Sequence, residues 1–182
     1  MANSSEAILK TTRKWLSEIV IGHGLCPFAA SVFRSESIAY RIYDGQDIEN
    51  LLQAFWQLCQ DMDQQESIVT SLLIIPNVLA DFESYLDVLA MSEQLLIDQD
   101  YEGIYQVASF HPNYLFADSP KEDPAHYTNR SPYPMLHLLR EESISQVAAH
   151  YPDIEQIPFR NLTWAREMGV PMLKALRDAC FV

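Results

Sequence analysis

The sequence predicts an α/β domain in which helical crossovers connect a small, mainly parallel sheet. Residues 38–43 alternate in the two-residue period of a strand with one face more buried than the other. Residues 69–75 end in a continuous apolar run, which is typical of a strand covered on both faces, and residues 103–110 form a third strand segment. Because helical patterns separate the three segments, the strands are expected to run parallel.

The helices are predicted from apolar residues at helical spacing and from the turn residues at their ends. The first runs from Ser5 to about Ile21 and is followed by Gly22 and Gly24, which suit the left-handed stop of a helix. The second occupies residues 47–63, where a stripe of apolar side chains marks its buried face.

A third helix is predicted after the second strand segment, with Asn77 as its cap and Gly103 at its end. The C-terminal third of the chain is predicted to be helical as well. Its expected helices are residues 134–141, 143–150, 158–168 and the segment from Pro171 onward. All 182 residues are expected to form one domain.

A long loop rich in proline and aromatic residues connects the third strand to the C-terminal helices. It covers residues 110–133, and loops longer than about 15 residues in a compact domain are usually functional or disordered. Its aromatic side chains provide enough apolar surface to pack against the domain. We therefore expect an ordered loop with a functional role.

The composition excludes several classes of protein. Of the residues, 48% are hydrophobic and 20% are charged, which indicates a globular chain. No uncharged run approaches the roughly 20 residues of a membrane-spanning helix, and the first residues lack the pattern of a secretory signal, so a cytoplasmic location is expected. The three widely spaced cysteines are expected to be free thiols.

Negative charge is concentrated in the middle of the chain. The 12 basic and 25 acidic residues give a net charge of −13, and no Lys or Arg occurs between Arg41 and Lys121, where 14 acidic residues lie. Such a surface repels a phosphate backbone, so nucleic acid is not an expected partner. These acids are interpreted as the solvated outer faces of helices.

Polar side chains that follow the predicted strands are the first candidates for a site. In open α/β sheets, ligands bind beyond the carboxyl ends of the strands. His111 is the candidate for moving a proton, because an imidazole titrates near neutral pH, while Asn77 and Asn113 offer hydrogen bonds to a ligand. The structural alternative for His111 is a hydrogen bond to a loop carbonyl.

The end of the long loop holds a candidate clamp for an anion. Arg130 has a planar fork of donors that suits a carboxylate or a phosphate, and Asn129 and Tyr133 flank it as further ligand-binding candidates. The alternative for Arg130 is a salt bridge that holds the loop against an acidic helix.

Cys26 is the candidate nucleophile, because Pro27 keeps it out of a helix and in the loop after the first helix. Its alternative role is that of a small buried hydrophobe. A metal site built from His111, His137 and Glu141 is a weaker alternative, since structural zinc normally uses several closely spaced Cys or His ligands. No cofactor is expected, because the five glycines complete no nucleotide-binding motif.

Three segments of the chain carry a family resemblance. Residues 20–29 read VIGHGLCPFA, residues 106–112 read QVASFHP, and residues 127–141 read YTNRSPYPMLHLLRE. They resemble the bacterial domain of unknown function 1415, and the likeness covers nearly the whole chain. His23-Gly24 departs from the pair expected there, such as Leu-Asn. The resemblance implies a bacterial cytosolic protein and assigns no activity.

The sequence is therefore expected to encode a small-molecule enzyme or binding protein. Its pocket would be formed by the loops at 22–28, 76–77, 110–116 and 127–137, and Arg130 would hold a small anionic ligand. Two other classes remain open, namely an acidic protein-interaction module in which these motifs are structural, and a metal-binding protein. Whether the chain is an enzyme and how it oligomerises are also left open.

Overall fold

The computed structural model describes residues 4–151 and 153–182. The chain alternates helices with four strands. The strands are β1 (Ile38–Ile42), β2 (Thr70–Ile74), β3 (Tyr105–Phe110) and β4 (Met135–Arg140). The α-helices are α1 (Ser5–Trp15), α2 (Ala29–Arg34), α3 (Ile48–Gln64), α4 (Phe82–Asp98), α5 (Glu141–His150) and α6 (Ile157–Asp178). A π-helix (Leu16–Ile21) continues α1, and 3₁₀ helices occupy Pro124–Thr128 and Ile154–Gln156.

The four strands form one mixed sheet in the order β1-β2-β4-β3. The β1 and β2 strands pair in parallel, whereas β4 lies between β2 and β3 and is antiparallel to both. The three predicted strands therefore run in the same direction, as expected. Because β4 separates β3 from β2, however, two of the three strand pairings are antiparallel and the sheet is mixed rather than mainly parallel. The prediction of a helix over residues 134–141 is wrong, because Met135–Arg140 forms the inserted strand β4.

Helices cover both faces of the sheet. On one face, α3 and α4 pack against Leu73, Leu136 and Leu138. On the other, α1, the π-helix and α2 pack against Leu72 and Met135. Side chains alternate between the faces along β2 and β4, as the pleat of a strand requires.

Short polar residues cap the helices on the α3 and α4 face. Asp47 accepts a hydrogen bond from the backbone N–H of Asn50 at 2.9 Å, and Asp81 accepts one from that of Ser84 at 2.9 Å. The prediction that Asn77 caps the third helix is wrong, since α4 begins after Asp81. The Asn77 side chain instead donates to the carbonyl oxygen of Asp44 at 2.9 Å.

Two glycines shape the helical segments beside the sheet. A Cβ on Gly22 would lie 2.2 Å from the carbonyl oxygen of Glu18, so the end of the π-helix has room only for glycine. Gly169, at φ 75°, breaks the helical backbone of α6, so this element consists of two helices that meet there, as the predicted helices at 158–168 and from Pro171 onward do. Among the described residues, no helix is both long and apolar enough to span a bilayer.

Candidate functional site

A cavity lies on the α1 face of the sheet, between the strands and the helices that cover them. We call it the inner cavity. Its floor on the sheet includes Ile38, Thr70, Leu72, Gln106, Ala108, Phe110, His137 and Leu139. Its roof includes Leu16 and Val20 of the π-helix, Cys26, Phe28, Ala29 and Val32 around α2, and Ile144 and Val147 of α5.

The size and lining of the inner cavity are those of a small-molecule site. Its volume is about 510 Å³, within the range of roughly 300–1,000 Å³ that such sites occupy. Most of the lining side chains are aliphatic or aromatic. The π-helix supplies Leu16 and Val20 to the roof, and helical turns widened in this way occur frequently at functional sites.

Two polar side chains on the floor are joined by a hydrogen bond. The Nε2 atom of His137 on β4 lies 2.8 Å from the hydroxyl oxygen of Thr70 on β2. The Thr70 hydroxyl also donates to the carbonyl oxygen of Leu138 at 2.7 Å. The pair therefore links two central strands of the sheet directly beneath the cavity.

His137 is an uncharged base in this position. Burial lowers the pKa of its imidazole from the ordinary value of 6.5 to about 4, because the apolar surroundings disfavour the charged ring. The ring stacks on Phe110, with the two centroids 5.8 Å apart. At neutral pH the cavity floor thus presents a neutral imidazole.

A second cavity, which we call the outer cavity, adjoins the first. It has a volume of about 560 Å³ and lies between the 22–28 loop, the long loop and the start of α6. The two cavities share Val20, Cys26 and Phe110. Three of the four loops that were expected to form a pocket contribute residues to the outer cavity, among them Leu25, Phe116 and Asn129. The fourth, the 76–77 loop, does not line the outer cavity.

Cys26 lies where the two cavities meet. Its side chain is partly exposed, whereas Cys59 and Cys180 are buried. Burial raises the pKa of the Cys26 thiol, and backbone hydrogen bonds from Phe28 and Ala29 offset only part of that effect. The thiol is therefore protonated at neutral pH and lacks the activation that a catalytic nucleophile needs.

The 22–28 loop is held in place by α6. Arg160 donates to the carbonyl oxygen of Gly24 at 2.6 Å, and Asn161 donates to that of Leu25 at 2.7 Å. The ring of His23 packs on Trp164 with a centroid separation of 4.7 Å. These contacts fix the position of Cys26 between the cavities.

His111 is fully buried, and both of its ring nitrogens are engaged by the backbone. Nε2 donates to the carbonyl oxygen of Leu79 at 2.8 Å, while Nδ1 accepts from the N–H of Asn113 at 3.0 Å. The ring also packs against Phe82 and Tyr85. Burial lowers the pKa of the imidazole despite the bond to Leu79. This arrangement joins two loops and leaves no ring nitrogen for a ligand.

The candidate asparagines also bond to backbone atoms. The side chain of Asn77 joins the loops after β1 and β2, as described above. Asn113 and Asn129 make longer contacts, 3.4 Å each, to the carbonyl oxygens of Ala80 and Ser109. Of the three, Asn129 lines a cavity, the outer one.

Arg130 holds the long loop together from within. Its Nε atom donates to the carbonyl oxygen of Tyr114 at 3.1 Å, and its guanidinium carbon lies 4.6 Å from the ring centroid of Tyr127. Tyr133 is buried, with its ring 5.7 Å from that of Phe181. Neither Arg130 nor Tyr133 lines the two cavities described here.

The residues proposed for a metal site are not brought together. His137 lies on a strand rather than on a helix shared with Glu141, and both nitrogens of His111 are occupied. Within residues 4–151 and 153–182, no group of three or more His, Cys, Asp or Glu side chains could hold a metal ion. The three candidate residues therefore do not form a cluster in the described part of the chain.

Sequence reasoning missed Thr70 and gave His137 a role that the structure does not support. A signal was present, since each is a hydrogen-bonding side chain in a central strand whose other residues are mostly apolar. Buried polar side chains need partners, so two such residues in neighbouring strands suggest a contact. The pairing of β2 with β4 was required to see it.

Comparison with known proteins places the chain in a family. The family model described as "Protein of unknown function (DUF1415)" matches residues 7–175. No curated protein and no solved structure is similar enough to count as a match. Since the family model covers most of the 182 residues, this chain belongs to the DUF1415 family of proteins of unknown function.

Proposed function

We propose that the protein binds a small, uncharged and largely apolar molecule in the inner cavity. The observation that carries this proposal is an apolar cavity of about 510 Å³ whose floor holds the hydrogen-bonded pair Thr70 and His137. Small-molecule sites generally combine an apolar lining with a few placed polar groups. Binding pockets of this kind occur in enzymes as well as in carriers, and the proposal concerns binding.

The charge of the lining favours an uncharged ligand over the anion expected from the sequence. Among the described residues that line the inner cavity, Arg140 is the one Lys or Arg. Its guanidinium bonds the carbonyl oxygen of Met62 and packs over Tyr105, on the opposite face of the sheet. An anion would therefore lose its hydration without gaining a charged partner, which is costly.

The rival function, an acidic protein-interaction module, is weakened by contacts within the chain. Asp47 and Asp81 cap helices, and Asp61 forms an ion pair with Arg41 at 2.5 Å. Asp63 accepts hydrogen bonds from Tyr101 and Tyr105. Part of the acidic middle segment therefore stabilises the fold, and these four carboxylates are already engaged.

The proposal is tested by filling the inner cavity. In Ala108→Phe, a ring would occupy the floor beside His137, since Ala108 pairs with His137 and lines this cavity. The probe is 2-methoxynaphthalene, an uncharged apolar molecule, with binding measured by isothermal titration calorimetry. We expect a dissociation constant on the order of 0.1 mM for the unmodified chain, since ligands of this size gain a few tenths of a kcal/mol per atom. Ala108→Phe is expected to abolish binding.

Ala117→Phe provides a matched control, because it places the same side chain in the outer cavity instead. We expect Ala117→Phe to bind the probe as the unmodified chain does. Circular dichroism and thermal unfolding check that both variants fold. The proposal is wrong if Ala108→Phe folds and still binds the probe, whatever Ala117→Phe does.

A further inference from the structure

We infer that the ligand of the inner cavity is an apolar molecule carrying a hydroxyl group, and that this hydroxyl donates a hydrogen bond to Nδ1 of His137. The inference rests on the proposed function, since it names the chemical class that the same cavity selects. The geometry that carries it is the chain of hydrogen bonds from Leu138 through Thr70 to His137.

This series of hydrogen bonds determines which nitrogen of His137 carries the proton. The Thr70 hydroxyl has one proton, and the carbonyl oxygen of Leu138, 2.7 Å away, can only accept it. Towards His137 the Thr70 oxygen must therefore act as the acceptor. It follows that Nε2, 2.8 Å away, carries the hydrogen and that Nδ1 has a free lone pair.

The free lone pair belongs to a ring that lines the cavity. Within the described part of the chain, Nδ1 of His137 has no hydrogen-bond partner. The ring faces of His137 and Phe110 are stacked, which holds the imidazole in a fixed orientation on the floor. Once an apolar ligand excludes water from the cavity, an acceptor without a partner is costly, so a ligand that donates to Nδ1 would be favoured there.

The other polar groups of the floor do not compete for this role. The Thr70 hydroxyl is engaged on both sides, by Leu138 and by His137. Gln106 lies exposed at the edge of the sheet. A ligand that offers only acceptors, such as an ether or a ketone, would place a lone pair against that of Nδ1. An apolar molecule that carries a hydroxyl group can donate a hydrogen bond to Nδ1 and pack its remaining surface against the apolar side chains of the cavity.

A matched pair of ligands tests the inference. 2-Naphthol and 2-methoxynaphthalene have the same ring system, and only the first donates a hydrogen bond. At pH 7 we expect 2-naphthol to bind the full chain about five- to tenfold more tightly by isothermal titration calorimetry, the ratio that one hydrogen bond of about 1 kcal/mol provides. Equal affinities would overturn the inference and leave the proposed function intact, whereas binding of neither probe would overturn both.

His137→Phe and nitrogen NMR separate this contact from a general preference for naphthol. In His137→Phe the preference for 2-naphthol should be lost, so that the ratio of the two dissociation constants falls to about one. Independently of the variant, the Nδ1 resonance of ¹⁵N-labelled His137 should have the shift of an unprotonated nitrogen. It should move with 2-naphthol and stay in place with 2-methoxynaphthalene. An Nδ1 that carries the proton in the free chain would overturn the inference even if His137→Phe fails to fold.

Discussion

The two histidines that matter most here differ in what their ring nitrogens contact. In His111 both nitrogens are bonded to the backbone, so the ring joins the loop after β3 to the segment before α4. In His137 one nitrogen is bonded to Thr70, and the ring lines a cavity. The same residue type therefore supports the fold in one place and offers an acceptor in the other.

Replacing His111 with leucine should reduce stability. The variant leaves the carbonyl oxygen of Leu79 and the N–H of Asn113 without the ring that bonds them, and we expect the free energy of unfolding to fall by about 2–3 kcal/mol. Urea denaturation measures the change. The exposed His23 provides the comparison, since His23→Leu should cost less than about 1 kcal/mol. Unchanged stability in His111→Leu would contradict the structural role.

His137 should make the stability of the fold sensitive to pH. Its pKa is about 4 in the folded chain against about 6.5 when unfolded, so the unfolded chain binds more protons between these values. The contribution of the neutral His137 ring to the free energy of unfolding is complete above about pH 6.5. As the pH falls towards 4, this contribution is lost, and the loss is at most about 3 kcal/mol. The difference in unfolding free energy between the unmodified chain and His137→Phe, followed from pH 7 to pH 4, isolates this effect. A difference independent of pH would contradict it.

At the scale of elements, periodicity predicted most of the fold and failed at β4. The segment Met135–Arg140 consists mostly of residues that favour helices, and as a strand covered on both faces it has no alternation to reveal it. Short apolar runs of this kind suit a buried helix and a buried strand equally well. Pairing with β2 and β3 decides for the strand, and such long-range contacts do not appear in a local pattern.

The same limit explains how far the candidate site could be predicted. The expected position at the carboxyl ends of the strands was derived from chain order alone, and the side chains found there, such as Asn77, tie loops together. The inner cavity lies instead on a face of the sheet, where the π-helix and α5 cover strands that are distant in sequence. Cys26 was identified from the sequence, but its contact with two cavities depends on packing by α6.

At the scale of the whole molecule, the two cavities meet at Cys26, so its thiol can report whether the inner cavity is occupied. Cys59 and Cys180 have no exposed surface, and burial raises the pKa of Cys59 to about 12. Iodoacetamide at pH 7.5 should therefore modify Cys26 first. Because burial also raises the pKa of Cys26, it should react more slowly than a free cysteine.

Occupation of the inner cavity should protect this thiol. At a concentration of 2-methoxynaphthalene about ten times its dissociation constant, roughly one tenth of the chains are free, so the rate of modification should fall about tenfold. Mass spectrometry of the modified peptide measures the rate, and Ala108→Phe, which should not bind the probe, should show no protection. An unchanged rate in the unmodified chain would mean that the bound probe does not cover Cys26. Since Cys26 belongs to the roof of the inner cavity, that result would contradict the assignment of the probe to this cavity.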